Sequence, residues 1–182
     1  MLRLLTLPAA LILSALRKIP LPFASYLCLI FVKGMMKGYA QDSIRFLIAQ
    51  ACLETAYGTS NSFKSRKNGF GMGCPRVRET TSTGCDTLAD GGGGQAIFDS
   101  YQDSVTDRFL WDEYFDINIK NGETYGSEVL SAGYHASSSY SATVDSISRA
   151  YFNNTRIALG VTIPLEVTAL GYLIYSTVKS KT

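Results

Sequence analysis

The sequence contains little charge and almost no histidine. Asp, Glu, Lys and Arg together make up 18% of its 182 residues, and there are one histidine and four cysteines. So few imidazoles and thiols exclude a histidine-rich metal centre, which needs several such ligands in one place. The lone histidine, His135, also lacks the partner pattern that a serine or cysteine hydrolase requires. We therefore expect no metal and no cofactor.

A phosphate-binding loop and a basic nucleic-acid surface are also missing. The glycine run at 91–94 is not followed by Gly-Lys-Ser or Gly-Lys-Thr, so it is not a phosphate loop. Residues 39–156 carry ten Lys or Arg against 14 Asp or Glu, whereas proteins that bind a phosphate backbone cluster their cations. We expect no nucleic-acid partner.

The N-terminal part is hydrophobic and carries only cations. Apolar runs at 4–16 and 21–36 are separated by a proline-containing break. Each run is shorter than the roughly 20 residues of a membrane-spanning helix, so we expect residues 1–38 to form membrane-associated helices. Two alternatives stay open: a hydrophobic hairpin packed on the rest of the chain, and a signal peptide.

The C-terminal part, residues 157–182, is expected to form a second hydrophobic helix. Its apolar stretch at 159–178 is long enough for one membrane span. Glu166 weakens that interpretation, because an unpaired acid at the bilayer centre is costly. A span and a helix packed on the domain stay equally open. Membrane lipid is an expected partner through both ends of the chain.

The middle part, residues 39–156, is the predicted working domain. Helical patterns cover 42–57, 99–116 and 140–152, and the first has an apolar stripe at i, i+3, i+4 and i+7 spacing. Between the first two helices the chain is rich in Gly, Thr, Ser and Cys, which is typical of turns and short hairpin strands. We therefore predict a mainly α (α+β) fold, with a helical domain and a small β-hairpin lobe.

Glu54 is the candidate catalytic residue of this domain. It falls at the border of the apolar stripe, in the last turn before Gly58. Partial burial and the negative end of the helix dipole both favour the protonated carboxyl. A carboxyl group of that kind can act as a general acid near neutral pH.

Four short motifs follow one another along the chain. The first is Ala-Gln-Ala-Cys-Leu-Glu-Thr-Ala-Tyr-Gly at 49–58, and the second is Asn-Gly-Phe-Gly at 68–71. The third is Phe-Asp-Ser-Tyr at 98–101, and the fourth is the pair Tyr134 and Tyr140. In kind and in order they resemble the motifs of the bacterial glucosaminidases of glycoside hydrolase family 73.

The resemblance implies a lysozyme-like fold, extracytoplasmic action and hydrolysis of β-1,4 bonds in peptidoglycan, with Glu54 as general acid. It also implies that motif aromatics bind substrate, since a tyrosine ring packs on a sugar while its hydroxyl forms hydrogen bonds. These aromatics are Phe70, Tyr101, Tyr134 and Tyr140. A place in the core, the more common fate of aromatic residues, remains the alternative for all four.

The resemblance further implies a second carboxylate in the β-lobe. The string at 78–83 resembles the strand that carries it, which indicates Glu79; Asp90 and Asp86 are the alternatives. This group would activate water on the sugar face opposite the acid, and the separation of the two carboxylates decides between inversion and retention.

Cys74 and Cys85 flank Glu79 in the sequence. In an extracytoplasmic enzyme they would form a disulfide that stabilises the lobe. Two free thiols are the alternative, whereas zinc would need further ligands.

We therefore expect a peptidoglycan hydrolase, an endo-β-N-acetylglucosaminidase that acts outside the cytoplasm while associated with a membrane. A bacterial envelope and the virion of a membrane-containing phage, with other virion proteins as partners, both fit. Two alternatives remain: a lytic transglycosylase that uses Glu54 alone, and a non-catalytic glycan-binding scaffold.

Overall fold

Six helices and one short hairpin make up the part of the chain that the computed structural model describes, residues 18–159 without 76, 89–92 and 138. In chain order they are α1 (Leu21–Lys37), α2 (Gln41–Glu54), α3 (Asn61–Arg66), β1 (Gly84–Asp86), β2 (Gln95–Ile97), α4 (Tyr101–Tyr114), α5 (Gly122–Ser131) and α6 (Tyr140–Leu159). The predicted class, mainly α with a small β-hairpin lobe, is confirmed.

The central helix is α2, which packs against α1, α5 and α6. Its predicted apolar stripe is buried: Ile44, Leu47 and Ala51 are at most 1% exposed. The helix ends at Glu54, where Thr55 forms the C-cap and the chain leaves through a tight turn. Glu54 is therefore held at the end of the most enclosed helix.

The β-lobe is a two-stranded antiparallel hairpin in which Gly84 pairs with Ile97, Cys85 with Ala96 and Asp86 with Gln95. A disulfide joins Cys85 to Cys74, with a Cα–Cα distance of 5.5 Å, as predicted. It ties the loop after the Asn-Gly-Phe-Gly motif to the hairpin.

The second N-terminal apolar run lies inside the domain core, so the boundary predicted at residue 38 does not hold for residues 19–38. In α1, Phe23, Ala24 and Ile30 have no exposed surface. The Tyr26 hydroxyl lies 3.1 Å from Ser104 Oγ on α4. The pattern of apolar residues is the same for a membrane helix and for a core helix, and here protein covers it.

No helix in the described part of the chain is long and apolar enough to cross a membrane. The first apolar run and most of the predicted C-terminal helix at 157–182 lie outside the described residues.

The packing of α1 predicts a large loss of stability when its central aromatic is removed. Phe23→Ala deletes a fully buried ring in edge contact with Phe63, at a centroid distance of 5.3 Å. We expect the free energy of unfolding to fall by about 3–5 kcal/mol, measured by urea denaturation. Met36→Ala, on the same helix but 53% exposed, should cost under about 1 kcal/mol. Equal, small effects would show that α1 does not belong to the core.

Candidate active site

Glu54 lies half-buried between α6 and the Asn-Gly-Phe-Gly loop. Its Oε1 accepts a 2.5 Å hydrogen bond from the Tyr140 hydroxyl. Its Oε2 faces the backbone of Gly71, so closely that a Cβ added there would lie 2.6 Å from the oxygen. The carboxyl group is thus fixed from two sides by elements far apart in the sequence.

A chain of buried hydrogen bonds leads from Glu54 into the core. Tyr140 also accepts from Gln50 Nε2 at 3.0 Å, and Gln50 Oε1 accepts from Arg108 Nε at 3.2 Å. Burial and the neighbouring Glu54 carboxylate raise the pKa of Tyr140 well above its ordinary value. The phenol therefore keeps its proton and remains a donor to Glu54.

The chain ends at an ion pair with no solvent exposure, Arg108 and Asp112 on α4. The Tyr125 hydroxyl donates to Asp112 Oδ2 at 2.7 Å, and the Tyr39 hydroxyl donates to the same oxygen at 2.9 Å. Burial disfavours the charged guanidinium, but the adjacent Asp112 outweighs it and raises the pKa of Arg108. The arginine stays charged and its donors are used within the core.

The Asn-Gly-Phe-Gly motif forms a turn around the buried Asn68. The Asn68 amide donates to the Met72 carbonyl at 2.8 Å and to the Ala96 carbonyl at 3.1 Å, and its Oδ1 accepts from the Met72 N–H. This turn gives Gly71 a φ of +62°, in the left-handed region that favours glycine. The motif thereby brings backbone, rather than a side chain, against Glu54.

The structure separates the four motif aromatics into two pairs. Tyr134 and Tyr140 lie next to each other, 6.1 Å between ring centroids, and the charge of Glu54 contributes to the raised pKa of both, after burial. Phe70 is fully buried, and Tyr101 stacks on Phe63 at 4.5 Å. Protein covers Phe70 completely and one face of Tyr101, so both have a packing role; that either residue binds substrate stays a prediction.

Glu79 is exposed, but the segment around it is anchored to α4. The Arg78 guanidinium forms two hydrogen bonds with the fully buried Asp107, at 2.6 and 3.0 Å. Thr80 Oγ1 and the Thr81 N–H donate to the same carboxylate at 2.5 and 3.1 Å. The backbone at Glu79 is therefore held in place while its side chain faces solvent.

The other two candidates for the second carboxylate differ from Glu79. Asp86 lies on β1, and its Oδ2 accepts from Arg66 Nε at 2.9 Å and from Arg66 Nη2 at 2.5 Å. This ion pair gives Asp86 a role in joining the hairpin to α3. Asp90 lies outside the described residues.

A groove of about 330 Å³ is lined in part by Gly71, the residue whose backbone faces Glu54. Gly71 and Tyr134 line one part of it, Val77 and Arg78 form a wall, and Trp111, Tyr114 and Phe115 line another part. Its volume lies at the small end of the range for ligand sites. The lining residues thus include Gly71, which faces Glu54, and Arg78, which precedes Glu79 in the sequence.

The described residues contain no group of three or more His, Cys, Asp or Glu that could hold a metal ion. His135 stacks on the ring of Tyr140, with centroids 4.4 Å apart, and its Nδ1 accepts from the Ser137 N–H. These contacts give His135 a packing role beside the site.

Sequence reasoning missed several residues that build this site. They are Gln50, Asp107, Arg108, Asp112, Trp111, Tyr114 and Phe115. For Gln50 a signal existed, since it lies four residues before Glu54 and therefore on the same helix face. The charged residues of α4 carry no such signal, because polar residues inside a predicted helix are typical of its solvent face.

The comparison with protein families agrees with the four motifs. The family model described as mannosyl-glycoprotein endo-beta-N-acetylglucosaminidase (glucosaminidase) matches residues 32–153. No curated protein matches the sequence. A chain in the structure of a type VI secretion system effector-immunity complex from Pseudomonas protegens is 18% identical, with a TM-score of 0.47; the match covers 68% of this chain and 92% of that one.

The approach of Glu54 to Gly71 predicts a specific cost for a methyl group at that position. Gly71→Ala and Gly38→Ala both place alanine at positive φ, but a Cβ at Gly38 meets no atom within 4 Å. The free energy of unfolding of each variant should fall by about 1–2 kcal/mol, because alanine is strained in the left-handed region. The decrease, measured by urea denaturation, should be larger for Gly71→Ala, because its new methyl group must also displace the Glu54 carboxyl. Equal losses would contradict the close contact.

Proposed function

Because the chain belongs to the glucosaminidase family, whose model spans residues 32–153, we propose that it is a glycosidase that hydrolyses the glycan strands of peptidoglycan. The bond is the β-1,4 linkage after N-acetylglucosamine, which makes the protein an endo-β-N-acetylglucosaminidase. The observation that supports this proposal is the placement of Glu54, fixed by Tyr140 and by Gly71, which itself lines a groove of about 330 Å³.

Glu54 acts as the general acid in this proposal. Half-burial and the Tyr140 hydrogen bond keep the carboxyl group in one orientation, and the leaving glycosidic oxygen would approach it from the groove. Proton donation to that oxygen allows the bond to break without releasing a free alkoxide. The buried chain through Gln50 to Arg108 holds Tyr140, and thereby Glu54, in position.

Glu79 is the proposed second carboxylate. Its exposed side chain lies on the segment whose Arg78 lines the groove, and Asp107 holds the residues on either side of it. A carboxylate there would orient water towards the sugar carbon on the face opposite Glu54. The lobe can bring Glu79 nearer when substrate binds, as closing loops do in many enzymes.

The substrate implies that the protein acts outside the cytoplasm. The Cys74–Cys85 disulfide supports this, because such bonds form and persist in oxidising compartments. The expected membrane association and virion role find no support in the described residues or in the family match.

The first test is Glu54→Gln. The amide is nearly isosteric with the acid and can still accept from Tyr140, so we expect an unchanged melting temperature. Loss of the proton donor should lower the rate of glycan cleavage by about 10²–10⁴-fold, measured by release of soluble fragments from purified cell walls. Activity within tenfold of the wild type would contradict the assignment.

The second test is Glu79→Gln, with Asp86→Asn as the matched control in the same lobe. If Glu79 activates water, the rate of glycan cleavage by Glu79→Gln should fall by about 10²-fold or more. Asp86→Asn should lose an ion pair but keep most of its activity. Mass spectrometry of the products distinguishes the alternatives. A fully active Glu79→Gln that releases anhydro-muramic ends would indicate a transglycosylase, which needs only Glu54.

A further inference from the structure

Part of the groove is formed by aromatic rings that the proposed reaction does not use. Trp111, Tyr114 and Phe115, which we call the aromatic shelf, lie at the C-terminal end of α4. The Phe115 centroid is 4.5 Å from that of Trp111 and 4.9 Å from that of Tyr114. Tyr114 is 51% exposed and Phe115 40% exposed. Contiguous exposed aromatic surface beside a candidate site is informative, because isolated exposed apolar residues are common and clustered ones are not.

The aromatic shelf is fixed in place and continuous with the surroundings of Glu54. The Arg108 guanidinium lies 4.8 Å from the Trp111 ring and 4.9 Å from the Tyr134 ring. Trp111 also meets Tyr134 edge to face at 5.1 Å. A surface built on these contacts is already formed before ligand binds, which reduces the entropic cost of binding.

The charge of the groove favours a neutral ligand. Arg78 is a charged side chain in its wall, but it is paired with the buried Asp107 and its own side chain is only 7% exposed. It therefore offers little attraction to the carboxylates of an acidic stem peptide. Exposed aromatic faces, in contrast, suit the apolar C–H face of a pyranose ring and the methyl of an acetamido group.

We propose that the aromatic shelf is a binding subsite for an N-acetylhexosamine ring of the glycan strand, one that lies beyond the sugars at the bond to be cleaved. The inference rests on the proposed function and extends it, since it identifies residues that determine affinity and position rather than proton transfer. Tyr114 and Phe115 provide the contact surface, and Trp111 forms its base.

The experiment measures binding separately from cleavage. Trp111 is the only tryptophan of the chain, so its intrinsic fluorescence reports on the groove. The full chain carrying Glu54→Gln is titrated with tri-N-acetylchitotriose, and isothermal titration calorimetry measures the same affinity independently. We expect saturable binding that Tyr114→Ala and Phe115→Ala each weaken about fivefold to tenfold. Met36→Ala, half-exposed and not among the residues that line the groove, should bind as the parent does.

The same substitutions in the wild-type background give a second readout. We expect Tyr114→Ala to raise KM for chito-oligosaccharides about fivefold or more while kcat changes less than twofold, because the contact is made equally in the ground state and the transition state. Melting temperatures within a few degrees of the parent would show that the variants fold.

Three results would overturn the subsite. They are chitotriose affinities of both shelf variants within twofold of the parent, an equal weakening by Met36→Ala, and saturation of the calorimetric signal by a stem tetrapeptide but not by chitotriose. A Glu54→Gln protein that still cleaves glycan would instead refute the general acid, and it would leave the binding result for the shelf to be judged on its own.

Discussion

The buried ion pair between Arg108 and Asp112 is the interaction on which the site depends. Two charges removed from water are stable only when their remaining hydrogen-bonding groups are satisfied. Here hydroxyl groups of Tyr39 and Tyr125 and the amide of Gln50 fulfil that need. These partners come from the loop before α2, from α5 and from α2 itself, so satisfying the pair also fixes how these elements meet α4. Because Gln50 donates to Tyr140 and Tyr140 donates to Glu54, this arrangement also determines the position of Glu54.

Helix α4 supports the two sides of the site by different means. Arg108 faces the core and stabilises the side of Glu54, the proposed general acid, while the preceding residue, Asp107, holds the segment around Glu79. The first side consists of side chains packed within a helical core. The second consists of a loop held by one buried carboxylate and one disulfide. Motion that adjusts the distance between the carboxylates is therefore expected in the lobe rather than around Glu54.

The sequence was sufficient to predict α2, the position of Glu54 in its last turn and the hairpin, because each has a local signal. The disulfide was expected only through the extracytoplasmic location that the resemblance implies. The side-chain network behind Glu54 was not predictable, since its members come from several elements and a helical period does not reveal which polar residues are buried. Helix α5 was missed because Gly122 and Gly126 lower helix propensity. Gly126 instead allows α5 to approach the ring of Phe46 closely. For α1, hydrophobicity alone could not show whether lipid or protein covers its apolar side chains.

Two glycines of the motifs contact α1 so closely that they show it to be part of the domain. A Cβ at Gly58, just after the helix that carries Glu54, would collide with the ring of Phe23, and one at Gly69 would collide with the ring of Tyr26. Both aromatics lie on the part of α1 that precedes the family match, which begins at residue 32. The two turns that follow Glu54 in the sequence are thus shaped against a helix that the motifs do not include. The unit that holds Glu54 in this geometry therefore includes α1, whose buried residues lie on the N-terminal side of residue 39 in the sequence.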